Sequence, residues 1–123
     1  MAFPSVVVLQ PDATLAQVLS SLLSPHFDSV SVARTQKELR EAISRRRARV
    51  AVVDLESSAL DDVRGLRCDF PSLSIVCTHR LPDDEMWTRM LEAGASDVCP
   101  TYDPPSLVRS VLRTLEETGN AAA

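Results

Sequence analysis

Asp54 is the residue best placed to do chemistry. It ends the apolar run 50–56 (VAVVDLE), which reads as a strand buried on both faces. A carboxylate at the end of such a strand costs free energy unless the fold has a use for it. In open α/β sheets the ligand crevice lies at the carboxyl ends of the strands. Asp54 is therefore read as a reactive or ligand-binding carboxylate; the competing reading is an acid that caps the following turn or helix. Thr78 closes a second apolar run, 73–78, in the same way. Its hydroxyl serves either a group held at Asp54 or nearby backbone alone. The expected pocket rim is Gln10, Pro11, Asp12, Glu56, His79, Thr101 and Tyr102. His79 is read either as a titrating partner of Asp54 or as an exposed loop histidine. Tyr102, the sole tyrosine, either fills the pocket or lies on the surface as an amphipathic side chain.

Short elements must position these residues. Ser5–Leu9 is a β-branched run stopped by Gln10-Pro11-Asp12. Leu15, Val18, Leu19, Leu22 and Leu23 recur at helical spacing after a cap at Asp12 or Thr14, and Pro25 closes that helix. Ser29–Ala33 alternates as a strand does. Thr35 with Glu38 forms a capping-box pattern that opens a helix carrying Leu39, Ala42 and Ile43. Residues 50–53 make the central strand, and 55–68 a short helix interrupted at Gly65. After the 73–78 strand, Pro82 and the acids Asp83, Asp84 and Glu85 open a helix that ends at Gly94. Residues 97–99 form a brief fifth strand. Leu107, Val108, Val111, Leu112 and Leu115 line a last amphipathic helix, and fraying is expected from Gly119 onward.

Five apolar strands alternating with five helices predict an α/β architecture: a single doubly wound, five-stranded parallel sheet in the flavodoxin-like order 2-1-3-4-5. At 123 residues the chain is one domain, expected over 1–118, with 119–123 (GNAAA) a disordered tail or the remnant of a linker to an output domain. A hydrophobic content of 45% and a charged content of 24% are ordinary for a globular chain. The net charge of -4 gives no case for nucleic acid or an anionic membrane. Arg45, Arg46, Arg47 and Arg49 read as a solvated helix end that complements the macrodipole. Three cysteines without metal-site spacing, Cys68, Cys77 and Cys99, suit a reducing compartment. With no leader-like or membrane-spanning run, a soluble cytoplasmic protein is expected.

The landmarks VVVLQPD (6–12), VAVVDLE (50–56), IVCTH (75–79) and EAGASDV (92–98) stand in the order and spacing of bacterial response regulator receiver domains. The chain resembles that chemotaxis-regulator-like family over nearly its whole length. The resemblance implies phosphoryl transfer from a histidine kinase to Asp54 with the aid of Mg²⁺, and a switch hydroxyl at Thr78. Other family positions differ. The acid pair after the first strand is Gln10 and Pro11 here, which leaves Asp54 and Asp12 as the weak metal candidates. Mg²⁺ prefers hard oxygen ligands in octahedral geometry, so no cofactor, or a weakly held Mg²⁺, is expected. The segment 99–104 lacks the family lysine, Val98 stands where the switch aromatic is usual, and Ser58 and Asp62 replace a Pro and a Gly. Without two acids to repel it, Asp54 no longer needs a cation.

The resemblance thus points to an atypical, or pseudo-, receiver that signals as a protein-interaction module and not as an enzyme. Its expected partner is a histidine kinase or a downstream output domain. Trp87, between Met86 and Met90, lies on a helix of the face with which receivers dock partners, and a homodimer through the fourth helix, fifth strand and fifth helix is possible. Residues this close in a helix cannot all face the core, so Trp87 is either an outward interface anchor or core. Two alternatives remain open: a working phosphoacceptor receiver, and a small-molecule binder at the switch-point crevice. The last has neither a glycine-rich cradle nor more than 4% aromatic residues behind it.

Overall fold

The computed structural model describes residues 4–122, and the side-chain surroundings of residues 4–117. Its elements are β1 (Ser5–Leu9), α1 (Ala13–Leu23), β2 (Ser29–Ala33), α2 (Gln36–Arg46), β3 (Val50–Asp54), α3 (Leu60–Asp69), β4 (Ser74–His79), α4 (Asp84–Ala93), β5 (Asp97–Pro100) and α5 (Pro104–Ala122). A 3₁₀ turn, Ser24–His26, carries Pro25 and ends α1. All strand pairs are parallel and the order is β2-β1-β3-β4-β5, as the alternation of elements predicts. Among the described residues no helix is long and apolar enough to cross a membrane.

Alternation along the strands divides the core between the two faces of the sheet. Val7, Leu9, Ala51, Val53, Ile75 and Cys77 face α2 and α3, where Leu39, Ile43, Val63 and Leu66 are buried against them. Val6, Val8, Val50, Val52 and Val76 face α1 and α5, where Leu19, Leu23, Leu107 and Val111 close the second layer. Both layers are needed because β1 and β3 are apolar at almost every position.

Caps set several of the helix boundaries. Asp12 accepts from the amides of Thr14 and Leu15 at 2.9 and 3.1 Å, and so caps α1. Thr35 accepts from Glu38 N–H at 3.1 Å, but the returning Glu38 carboxylate takes the amide of Arg34 at 2.8 Å, one residue before the cap. The helix expected to break at Gly65 is continuous through Asp69. One glycine inside a helix costs only about 1 kcal/mol, and Val63 and Leu66 repay it by burial. The backbone of α5 is helical through Ala122, past the boundary expected at 118; position 123 and the side chains from 118 onward lie outside the described residues.

Two described residues adopt positive φ, and only one is glycine. Gly94 (φ 117) ends α4, and its amide reaches back to Leu91 and Met90. A Cβ there would stand 2.5 Å from Arg67 Cγ. Arg67 itself donates to Gly94 O from Nε and Nη2 at 2.9 and 2.8 Å, and to Pro71 O from Nη1 at 2.8 Å. It therefore clamps the end of α4 to the α3–β4 turn. Arg47 (φ 51, ψ 50) takes the left-handed position after α2 with a full side chain. The expected outcome in urea melts is opposite at the two sites. Gly94→Ala loses about 2 kcal/mol or more, through both backbone and clash; Arg47→Gly gains about 0.5–1 kcal/mol.

Candidate functional site

Four buried polar residues lie across the carboxyl ends of the strands: Gln10 after β1, Asp54 ending β3, Thr78 in β4 and Thr101 after β5. Val8, Val52, Val76 and Cys99, two positions earlier in each case, belong to the α1/α5 layer. Period-two alternation therefore puts all four on that same face. The ladder continues into the loops and holds them there. Gln10 N–H donates to Ala33 O at 3.0 Å, and Thr101 N–H donates to His79 O at 2.9 Å. Asp54 and Thr78 are direct cross-strand partners, and Leu55 N–H donates to Thr78 O at 2.8 Å. The two residues singled out from sequence are thus neighbours at the centre of the sheet.

Asp54 is 6% exposed. Burial pushes its carboxyl above the ordinary value of 3.8, helped by the charge of Glu56. Hydrogen bonds from the Ser57 hydroxyl and the Glu56 amide, and the proximity of His79, oppose the shift without cancelling it. The Ser57 hydroxyl lies 3.1 Å from Asp54 Oδ2. No ion pair reaches Asp54 among the described residues. Glu56 turns away to Arg80, its Oε1 accepting from Arg80 Nε at 2.8 Å. The chain's one lysine, Lys37, sits in the first turn of α2.

The donor set does not fit Mg²⁺. Asp12 is exposed, and its Oδ1 is engaged by the amides of Thr14 and Leu15 at the start of α1. Gln10 Oε1 already accepts from Asp12 N–H at 3.0 Å, and Pro11 offers no ligand. Among the described residues no group of three or more His, Cys, Asp or Glu side chains is placed to hold a metal. A single carboxylate with an amide oxygen is a poor set for a hard divalent cation.

The remaining rim residues separate. His79 is half-buried, and its Nδ1 accepts from Leu81 N–H at 3.1 Å, so the ring is oriented by its own loop. Tyr102 is 66% exposed and lies on the surface. Thr101 is buried, and its hydroxyl has no hydrogen-bond partner among the described residues. Val98 is packed in the α2/α3 layer.

No protein-family model matches the sequence, and no curated protein matches it. Solved structures do. The beryllofluoride-activated receiver domain of DrrB superposes with a TM-score of 0.79 at 23% identity, covering 94% of this chain and 99% of that one. A CheY-like response regulator receiver domain protein from Methanospirillum hungatei gives 0.84 at 16% identity, covering 98% and 99%. NtrX from Brucella abortus gives 0.87 at 19% identity, covering 99% of this chain but 28% of that longer one. The fold is that of a receiver domain.

Within this receiver fold, α4, β5 and α5 carry a second polar centre. Asp97 opens β5, and burial opposes its ionisation. Hydrogen bonds from the Ser110 hydroxyl, the Val98 amide (2.8 Å) and Trp87 Nε1 (3.4 Å), with the Arg113 guanidinium at 2.6 Å, nevertheless hold its carboxyl below the ordinary value. Trp87 is 46% exposed, so its ring lies outward, tethered at one edge, while Met86 and Met90 are half-buried. Ala93 is the one fully buried residue of α4. Ser57, Arg80, Asp97, Ser110 and Arg113 escaped the sequence reading. Only Asp97 carried a signal, as an acid opening a strand inside EAGASDV.

The two acids should respond oppositely to pH. A raised folded pKa makes ionised Asp54 a cost that appears as pH rises above 3.8. Asp54→Asn is therefore expected to melt about 2–5 °C higher near neutrality, with no advantage in acid. Asp97 stabilises above 3.8, and that contribution is lost as pH falls through its depressed folded pKa. Asp97→Asn is expected to lose about 1–3 kcal/mol near neutrality and to converge on the parent in acid. Calorimetry across the acid range checks both.

Proposed function

We propose that the chain is an atypical receiver, a pseudo-receiver, that serves two-component or phosphorelay-type signalling as a protein-interaction module and not as an enzyme. The observation that carries this reading is the burial of Asp54 with no ion pair and no metal donor set around it among the described residues. A phosphoryl group would add close to two negative charges and strong acceptor oxygens. Next to Glu56, whose own partner is Arg80, such a charge would find only partial compensation from His79 among the described residues. A carboxylate that is not asked to hold a cation suits a fold used for its surface.

The surface this reading favours is the α4-β5-α5 face. Exposed Trp87, tethered to Asp97 beside Arg113, offers an aromatic anchor with a charged neighbour. Its partner is a histidine kinase, an output domain or a second copy of the chain.

One observation favours the phosphoacceptor alternative: Asp54 and Thr78 are cross-strand partners with both side chains buried at the strand ends. Amide NMR with millimolar Mg²⁺, then beryllium fluoride, separates the readings. The pseudo-receiver reading expects no shift at Asp54 or Thr78. Shifts there that spread to Trp87, or acetyl phosphate labelling abolished by Asp54→Asn, would establish a working phosphoacceptor instead.

A further inference from the structure

The end of the sheet opposite Asp54 carries charge that the helix dipole does not explain. Arg45 and Arg46 occupy the last turn of α2, where a guanidinium complements the dipole. Arg47 and Arg49 lie beyond it. All four are exposed, and none forms an ion pair among the described residues; Arg46 donates to the Ser29 hydroxyl at 3.1 Å. Glu38 and Glu41 stand beside Arg45 and Arg46, which leaves Arg47 and Arg49 as the positive charges beyond the helix.

Beside it an open cleft of about 570 Å³ lies between the α2–β3 and α3–β4 turns. Ile43, Ala48, Phe70 and Leu73 give it an apolar lining, and Arg47 and Arg49 stand at its edge. The one acid in its wall, Asp69, is taken by Arg40. Ala48 and Arg49 lead into β3, and Leu73 into β4. The cleft is therefore at the amino ends of the strands, about 17 Å of strand away from Asp54. Arg47 adds a further mark. It holds a left-handed position that glycine occupies at lower cost, with its exposed side chain at the edge of the cleft.

We infer that this cleft docks an acidic peptide segment of a partner protein, with an apolar side chain on the Ile43–Phe70 lining and carboxylates paired to Arg47 and Arg49. Guanidinium is suited to bidentate pairing with carboxylates, and the apolar lining adds contact area that charge alone lacks. A nucleic acid fits less well. Phe70 is the one aromatic at the cleft and is half-buried, which leaves no stacking platform. Because the cleft and Asp54 lie at opposite ends of the sheet, the segment can be held whatever the state of the Asp54 pocket.

The probe is a short fluorescein-labelled peptide rich in Glu with Phe and Leu interspersed, read by anisotropy and amide NMR at low salt on the whole chain. Saturable binding is expected, with shifts at Ile43, Ala48, Phe70 and Leu73 and none at Asp54. Arg47→Gly combined with Arg49→Gln should weaken it about tenfold or more, with a urea melt of the double variant to show that it stays folded. Replacing Phe and Leu of the peptide by Ala should weaken it as well. The inference is overturned by an absence of saturable binding, by equal affinity of the double variant, or by a single-stranded DNA of equal charge binding more tightly than the peptide.

Discussion

The buried carboxylate of Asp54 is the constraint on which the rest of the site depends. β3 is the middle strand of a parallel sheet and is covered on both faces, so its last residue enters a partly dehydrated space whatever its type. Ionising an acid there is costly unless something of opposite charge answers it. Ser57, the Glu56 amide and a nearby histidine answer it only in part. On the same sheet, Asp97 shows what full compensation achieves. A hydroxyl, an amide, an indole N–H and a guanidinium converge on it, and its pKa falls below the ordinary value although burial opposes ionisation. One acid is built into the structure as a charge, and the other is tolerated in spite of being one.

The same contrast orders the two ends and the flank of the molecule. At the carboxyl ends of the strands a row of uncharged or weakly supported polar groups, Gln10, Thr78 and Thr101, surrounds Asp54. On the flank, the Asp97 centre ties β5 to α5 through Ser110 and Arg113 and reaches α4 only through the long Trp87 hydrogen bond. Ala93 is the one fully buried residue of α4, Met90 packs against the core, and at the end of the helix Arg67 grips Gly94 O while Ser96 exchanges hydrogen bonds with Ile75.

Much of the fold was legible in the sequence because it rests on local patterns. The apolar runs ending in Gln10, Asp54 and Thr78 carry both the strand positions and the place of the site, and the alternation of strands with helices carries the parallel order. Where tertiary contacts overrule local preference, the reading departs from the structure. Gly65 does not break α3, since Val63 and Leu66 are buried on either side of it. Val18 and Leu22, which the helical spacing places with the apolar face of α1, are exposed. The support of the site was least legible. Ser57 and Arg80 act through loop geometry that no periodicity encodes, and the Asp97 network joins residues 10 to 16 positions apart. The orientation of Trp87 was left open by sequence because spacing alone does not say which side of a helix the core occupies.

Burial penalises the charge of Asp54, and the described side chains around it do not form a donor set for Mg²⁺. The direct measurement is a ¹³C-carboxyl NMR titration of Asp54, with and without millimolar Mg²⁺. The account predicts a midpoint above 3.8 that Mg²⁺ leaves in place. A midpoint at or below that value, or one that drops when Mg²⁺ is added, would contradict it.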